Sequence, residues 1–158
     1  MALRGSDRFG ECLCTAINAT KREAMEARVT WVEEKRFVGS ASSGHAIVVD
    51  ASEEKQGSSP MELVLIGTAG CTAYDVVNIL QKKRQAVTGV EVQARASRAE
   101  NPPRVFTAIE LEYVVRGHEV SPKAVEDAIR LSKRKYCSAT SMLGKTASIT
   151  TSYRIEEA

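Results

Sequence analysis

From residue 27 the chain alternates between apolar and polar positions in short runs. Ala27-Arg-Val-Thr-Trp-Val-Glu33 and Arg36-Phe-Val-Gly39 are β-branched and aromatic segments parted by charged residues, a pattern that predicts a hairpin. A third strand, His45 to Asp50, follows the Ser42-Ser43-Gly44 turn, and residues 51–58 are polar enough to read as a loop. The period then changes. Ser59-Pro60-Met61-Glu62 combines an N-cap serine, a proline at the first helical position and a glutamate placed for a capping box. The run from Met61 to Leu80 is apolar on nearly every face before it ends in Gln81-Lys-Lys-Arg84, which predicts a central helix enclosed by other elements.

Val87 to Ala96 and Val105 to Val115 read as strands joined across Glu100-Asn-Pro-Pro103. Ser121-Pro122 opens a second helix, with Val125, Ala128, Ile129 and residues 131–132 on a buried face and Lys123, Glu126, Asp127 and Arg130 toward solvent. Cys137 closes it, a short helical turn follows around Ser141-Met-Leu143, and a last strand runs from Ala147 to Ile155. Strands and helices in this order, without βαβ alternation, favour an α+β fold over a doubly wound sheet. No Gly-x-Gly-x-x-Gly or phosphate loop is present, so dinucleotide chemistry is not expected.

The length of 158 residues fits one core, and 43% apolar with 27% charged residues fits a globular chain. Residues 1–24 lack periodicity and read as an N-terminal arm, with the domain proper over 25–158. Twenty-two basic against 20 acidic side chains leave a net charge of +2, too little to expect a nucleic-acid partner. The clusters Lys82-Lys83-Arg84 and Lys133-Arg134-Lys135 each follow a helical run, where cations complement the helix dipole. No uninterrupted apolar stretch approaches the roughly 18 residues of a membrane span, and no secretory segment is evident. A cytoplasmic protein without a membrane partner is the expectation.

Cysteines at 12, 14, 71 and 137 form no C-x-x-C pair, so neither a structural metal nor persistent disulfides are expected in a reducing compartment. Cys12 and Cys14 lie in the arm and carry no assigned role. Cys71 sits within Gly67-Thr-Ala-Gly70-Cys-Thr-Ala-Tyr-Asp75, where two helix-interior glycines each cost about 0.8–1.0 kcal/mol relative to alanine. Close approach of another element to Gly67 and Gly70, with or without a site beside it, would offset that cost. Cys71, Asp75, Asn78 and Lys82 share one helical face, a polar stripe on an apolar rod. Asp75 either borders a cleft or an interface, or simply hydrogen-bonds to a neighbour. Cys137 precedes Ser138-Ala-Thr-Ser141, and a thiol at a helix N-terminus is expected to have a lowered pKa. His45 and His118 show no metal-ligand spacing, and Trp31 reads as a core or interface anchor.

The chain at this point resembles the OsmC/Ohr family, in its small YhfA-like branch, over about residues 25–158. The resemblance rests on the Ser59-Pro60-Met61-Glu62 helix start, on Gly70-Cys71-Thr-Ala-Tyr-Asp75, and on Lys135-Tyr136-Cys137-Ser138. It implies an intertwined homodimer with antiparallel sheets packed around two long helices. It further implies a thiol peroxidase without a bound cofactor, in which Cys71 attacks an organic or hydrogen peroxide and Cys137 resolves the product as a disulfide. A dithiol reductant then resets the pair.

Two departures from the family pattern stand out. Met61 holds the place of the glutamate that follows the helix-opening proline, with Glu62 one residue on, and Ser138 replaces a proline after the second cysteine. Arg36, with Arg28 behind it, is the nearest candidate for the activating arginine. A different class of function is a non-enzymatic, stress-related dimer that holds a small apolar ligand in a cleft shaped by Asp75, Gly70 and Met61. A third is a structural dimer with inert cysteines.

Overall fold

The computed structural model describes residues 25–158. The arm assigned to residues 1–24, with Cys12 and Cys14, lies outside the described residues. Two three-stranded sheets and three helices follow in order. Strands β1 (Ala27–Glu33), β2 (Arg36–Ala41) and β3 (Ala46–Asp50) form one antiparallel sheet in the order β1-β2-β3, with Phe37 opposite Val49 and Val38 opposite Val48. Gly44 makes the turn into β3 at φ +80°, a conformation that favours glycine, and its N–H donates to the Ala41 carbonyl at 2.9 Å. Asp50 ends the sheet, buried, and accepts from Ser52 Oγ at 2.6 Å and from the Gln56 and Ser52 amides at 3.0 and 2.9 Å. Those donors, with Arg36 adding its share, hold the Asp50 carboxyl well below the usual carboxylate range.

This first sheet has little of its own chain to pack on. Val29, Trp31, Val32, Ile47 and Val48 are exposed. Trp31 is therefore not a core residue of the single chain; it is 64% exposed, and its Nε1–H donates to the Glu34 carbonyl.

Helix α1 (Pro60–Lys82) begins as its sequence dictates. Glu62 N–H donates to Ser59 Oγ at 3.4 Å while Glu62 Oε2 accepts from the Ser59 amide at 2.7 Å, closing a capping box. Strands β4 (Ala86–Arg98), β5 (Phe106–His118) and β6 (Ser148–Glu157) form the second sheet, with β5 in the middle. β4 and β5 are antiparallel, but β6 runs parallel to β5, with Tyr113 opposite Tyr153. The sheet is mixed because the chain returns to β5 through a helical crossover, the connection that parallel strands require. Gly117 lies where β4 and β5 close up: a Cβ there would stand 2.3 Å from the Ala86 carbonyl oxygen.

The core lies between the second sheet and the helices. Ile109, Leu111, Tyr113 and Val115 of β5 meet Val76 and Leu80 of α1 and Val125 and Ala128 of α2 (Pro122–Leu131). α2 runs straight into a π-helical turn over Ser132–Tyr136, and the short α3 (Ser138–Leu143) follows. Only α1 is long.

The enclosed helix expected from the sequence is half covered in the single chain. Thr68, Thr72, Val76 and Leu80 are buried, while Val64, Ile66 and Tyr74 are 41%, 57% and 71% exposed. Nothing lies within 4 Å of a Cβ added at Gly67 or Gly70, so no element of the described chain crosses there. Averaged rather than read as an unbroken run, α1 is long and apolar enough to cross a membrane, with mean hydropathy 1.6 over its best window. Its length and apolarity equally suit a fold's central helix, and it packs along one side on the second sheet.

Candidate functional site

The polar stripe of α1 runs along the border between its buried and open faces. Cys71 and Asp75 are one turn apart on it, so both side chains project the same way. Cys137 approaches from within the crossover, as the N-cap residue of α3. The π-turn places it there: the Cys137 amide donates to the Ser132 carbonyl at 2.9 Å, an i→i+5 bond that widens the end of α2 by one residue. Such turns are frequent at functional sites. Cys71 Sγ, Cys137 Sγ and a carboxylate oxygen of Asp75 all lie within 4.8 Å of one another, and both cysteines are free thiols. No group of this kind includes His45 or His118 among the described residues.

The two thiols differ in environment. Cys71 is half-buried, Cys137 is 2% exposed. Burial pushes the Cys137 thiol up from its ordinary pKa; the Thr140 hydrogen bonds oppose the rise, and the neighbouring Cys71 adds to it. The lowered pKa expected from a helix N-terminus is thus reversed. The Thr140 amide does donate to Cys137 Sγ at 3.4 Å, but a six-residue helix offers one such bond against the full cost of desolvation.

Behind the thiols runs a line of buried hydroxyls. Ser132 Oγ donates to Asp75 Oδ2 at 2.9 Å, and since a carboxylate only accepts, the single Ser132 proton is committed to it. Thr72 Oγ1, 2.9 Å from Ser132 Oγ, must therefore donate to Ser132, and Tyr113 Oη, 2.7 Å from Thr72, must donate to Thr72. The order is Tyr113 to Thr72 to Ser132 to Asp75, and it ties β5, α1 and the π-turn together. Burial raises the Tyr113 pKa above that of an ordinary phenol, which keeps its proton available to donate. No buried side-chain nitrogen or oxygen among the described residues lacks a partner. Thr72, Tyr113 and Ser132 are site residues that no sequence motif singles out, although hydroxyls at positions assigned to buried faces are a signal in themselves.

Two openings among the described residues border members of the group, one beside Asp75 and one beside Cys137. A cleft of about 470 Å³ is lined by Tyr74, Asp75, Asn78, Lys82 and Tyr136, and a smaller one of about 140 Å³ by Lys133, Lys135, Cys137 and Ser141.

The remaining residues named from the sequence lie elsewhere in the chain. Arg36 is on β2, bound to Glu33 and, through Nε at 3.3 Å, to Asp50. Glu62 is engaged by the capping box and by Lys55 Nζ at 3.2 Å. Nine residues of helix separate Glu62 from Cys71, about 13 Å along the axis, beyond reach within one chain. Met61 packs against the core cluster, and Gly70 is on the open face. Of Asp75, Gly70 and Met61, Asp75 alone lines a cleft beside the thiols. A separate apolar cleft of about 640 Å³ lies between the first sheet and the start of α1, lined by Arg28, Val29, Phe37, Ile47, Val49 and Leu63 among others.

Comparison with known proteins places these features in a family. Residues 52–152 match the family described as OsmC-like protein. The chain is 47% identical over 131 residues to Protein YhfA of Escherichia coli (strain K12), covering 83% of this chain and 98% of that one. Its fold is similar to the crystal structure of a hypothetical protein from Aquifex aeolicus, at 32% identity and TM-score 0.78, covering 86% of this chain and 98% of the other. It is also similar in fold to an organic hydroperoxide resistance protein from Elizabethkingia anophelis, at 12% identity and TM-score 0.66, covering 86% and 99%.

Proposed function

The chain belongs to the OsmC-like family, and on that premise we propose that it is a thiol peroxidase that reduces organic hydroperoxides or hydrogen peroxide through Cys71 and Cys137. The observation that carries this reading is the meeting of the two sulfurs within 4.8 Å from elements 66 residues apart in the chain. Cys71, the more accessible thiol, attacks the terminal peroxide oxygen as thiolate. The O–O bond breaks, the leaving oxygen takes up the proton the thiol had given to solvent and departs as an alcohol, or as water from hydrogen peroxide, and Cys71 becomes a sulfenic acid. Cys137 then attacks that sulfur, its proton and the sulfenic hydroxyl leave as water, and a disulfide forms. A dithiol reductant returns two electrons and two protons. Burial of Cys137 suits the resolving role, because a thiol shielded from solvent meets the Cys71 sulfenic acid rather than free oxidant.

The dimer belongs to the same proposal. An apolar helix face with two glycines and no covering element among the described residues, beside a first sheet with its apolar side chains exposed, suits a second copy of the chain. In such a dimer Arg36 and Glu62 could serve a partner's thiols rather than their own. A reducing cytoplasm would return both thiols to the reduced form between turnovers.

The test mixes reduced protein with cumene hydroperoxide and counts thiols. Two thiols are lost per hydroperoxide in the parent protein, none through Cys71→Ser, and Cys137→Ser stops at a sulfenic acid trapped by dimedone. Survival of both thiols ends the peroxidase reading. The apolar cleft of about 640 Å³ favours a second reading, a non-enzymatic dimer that binds a small apolar ligand. Binding of an apolar fluorophore that is unchanged by Cys71→Ser, with both thiols inert to peroxide, selects it.

A further inference from the structure

We propose that the reduced site binds a thiophilic divalent cation of the zinc class, ligated by Cys71 Sγ, Cys137 Sγ and the Asp75 carboxylate, with the fourth position open. The peroxidase reading accounts for two sulfurs; it does not account for a carboxylate held against them. Three donors from two separate segments lie within 4.8 Å of one another. Zinc–sulfur bonds of about 2.3 Å and zinc–oxygen bonds of about 2.0–2.2 Å place tetrahedral ligands roughly 3.5–3.8 Å apart, so side-chain rotation of about an ångström or less completes the geometry. Two of the donors stand one helical turn apart, the spacing at which helical side chains share one ion.

The surroundings fit a cation on three counts. The Asp75 carboxylate is oriented from behind by Ser132 at 2.9 Å, and Ser132 is fixed in turn by Thr72, the kind of outer hydrogen bonding that sets a ligand's direction. Cys137 Sγ accepts the Thr140 amide at 3.4 Å, a bond suited to a sulfur bearing negative charge. The cleft beside Asp75 is an entry path for the ion. Two thiolates and a carboxylate around a divalent ion carry a net charge of −1, and Lys82, on the same stripe, lines the cleft that borders Asp75. Donors from two elements far apart in sequence explain why cysteine spacing gave no metal pattern.

Binding uses the same thiols as the peroxidase reading without depending on their reaction. The test titrates cobalt(II) into the full-length reduced chain, without oxygen and with a phosphine reductant. A stoichiometry of one per chain, a thiolate-to-cobalt charge-transfer band and the visible bands of a tetrahedral ion are expected, with displacement by zinc. Cys71→Ser and Cys137→Ser should each remove about half the charge-transfer intensity and weaken binding at least tenfold. Asp75→Asn should weaken binding about tenfold or more, and Asp75→Cys should raise the charge-transfer intensity by about half as a third sulfur joins. Circular dichroism checks that each variant folds. Absence of the charge-transfer band in the parent protein, or a band unaltered by both Cys71→Ser and Asp75→Cys, overturns the proposal. Thiol counting with cumene hydroperoxide on metal-free protein judges the peroxidase reading separately.

Discussion

Ser132 and Asp75, 57 residues apart, are joined by a 2.9 Å hydrogen bond in which the serine donates. That bond couples the π-turn to α1 at the level of the thiols. Ser132→Ala removes the donor to the carboxylate and the acceptor for Thr72 together. Loss of about 1–3 kcal/mol of stability is expected by urea denaturation. Slower disulfide formation after peroxide addition is expected as well, because the π-turn also sets the position of Cys137.

Tyr113 stands at the far end of the same line, donating to Thr72 at 2.7 Å. Tyr113→Phe should cost about 1 kcal/mol alone. Combined with Ser132→Ala it should cost less than the sum of the two, since both remove bonds of one chain of hydroxyls. Strict additivity in a double-mutant cycle would show that the hydroxyls act independently.

The thiols should be distinguishable by alkylation. Cys71 is half-buried and Cys137 is nearly sealed, with burial also favouring its protonated form. Brief treatment of folded, reduced protein with iodoacetamide followed by peptide mass spectrometry should label Cys71 well ahead of Cys137, and the difference should vanish in denaturant.

Acid should loosen the start of α1. The Ser59 hydrogen bonds, with Lys55, lower the Glu62 pKa from 4.5 to about 2. A depressed carboxyl contributes stability that is present above the unfolded value and is lost as pH falls through the folded one, so the window runs from about 4.5 down to about 2. Glu62→Gln should flatten the fall of Tm with pH across that window. An identical Tm slope in the variant would remove Glu62 from the acid response.

Two glycines make opposite predictions. Gly117→Ala drives a Cβ to 2.3 Å from the Ala86 carbonyl and 2.7 Å from Val120, and should destabilise by about 1–3 kcal/mol. Gly67→Ala meets nothing among the described residues, so helix propensity should stabilise the single chain by up to about 1 kcal/mol. If a second copy crosses α1 there, the same change weakens self-association, which sedimentation velocity measures directly.

The amino-acid sequence by itself determined the elements. The Ser59-Pro60-Glu62 start of α1, the Ser121-Pro122 start of α2, the turn at Gly44 and the positions of all six strands follow from neighbours within a few residues, where capping, backbone freedom and apolar period act. It also showed that Cys71 and Asp75 share a face, because helical spacing is local. That Cys137 joins them was implied by the family resemblance and by no local pattern, and only the tertiary structure decided that β6 lies parallel to β5 and that Ser132 bonds to Asp75. Those relations depend on how α2 and its π-turn dock across α1 and the sheet, a balance of packing and buried hydrogen bonds over separations of 40 to 66 residues that no local pattern encodes. The helix N-terminus at Cys137 was legible for the same local reason, but the sign of its pKa shift was not, since desolvation is a property of the assembled core.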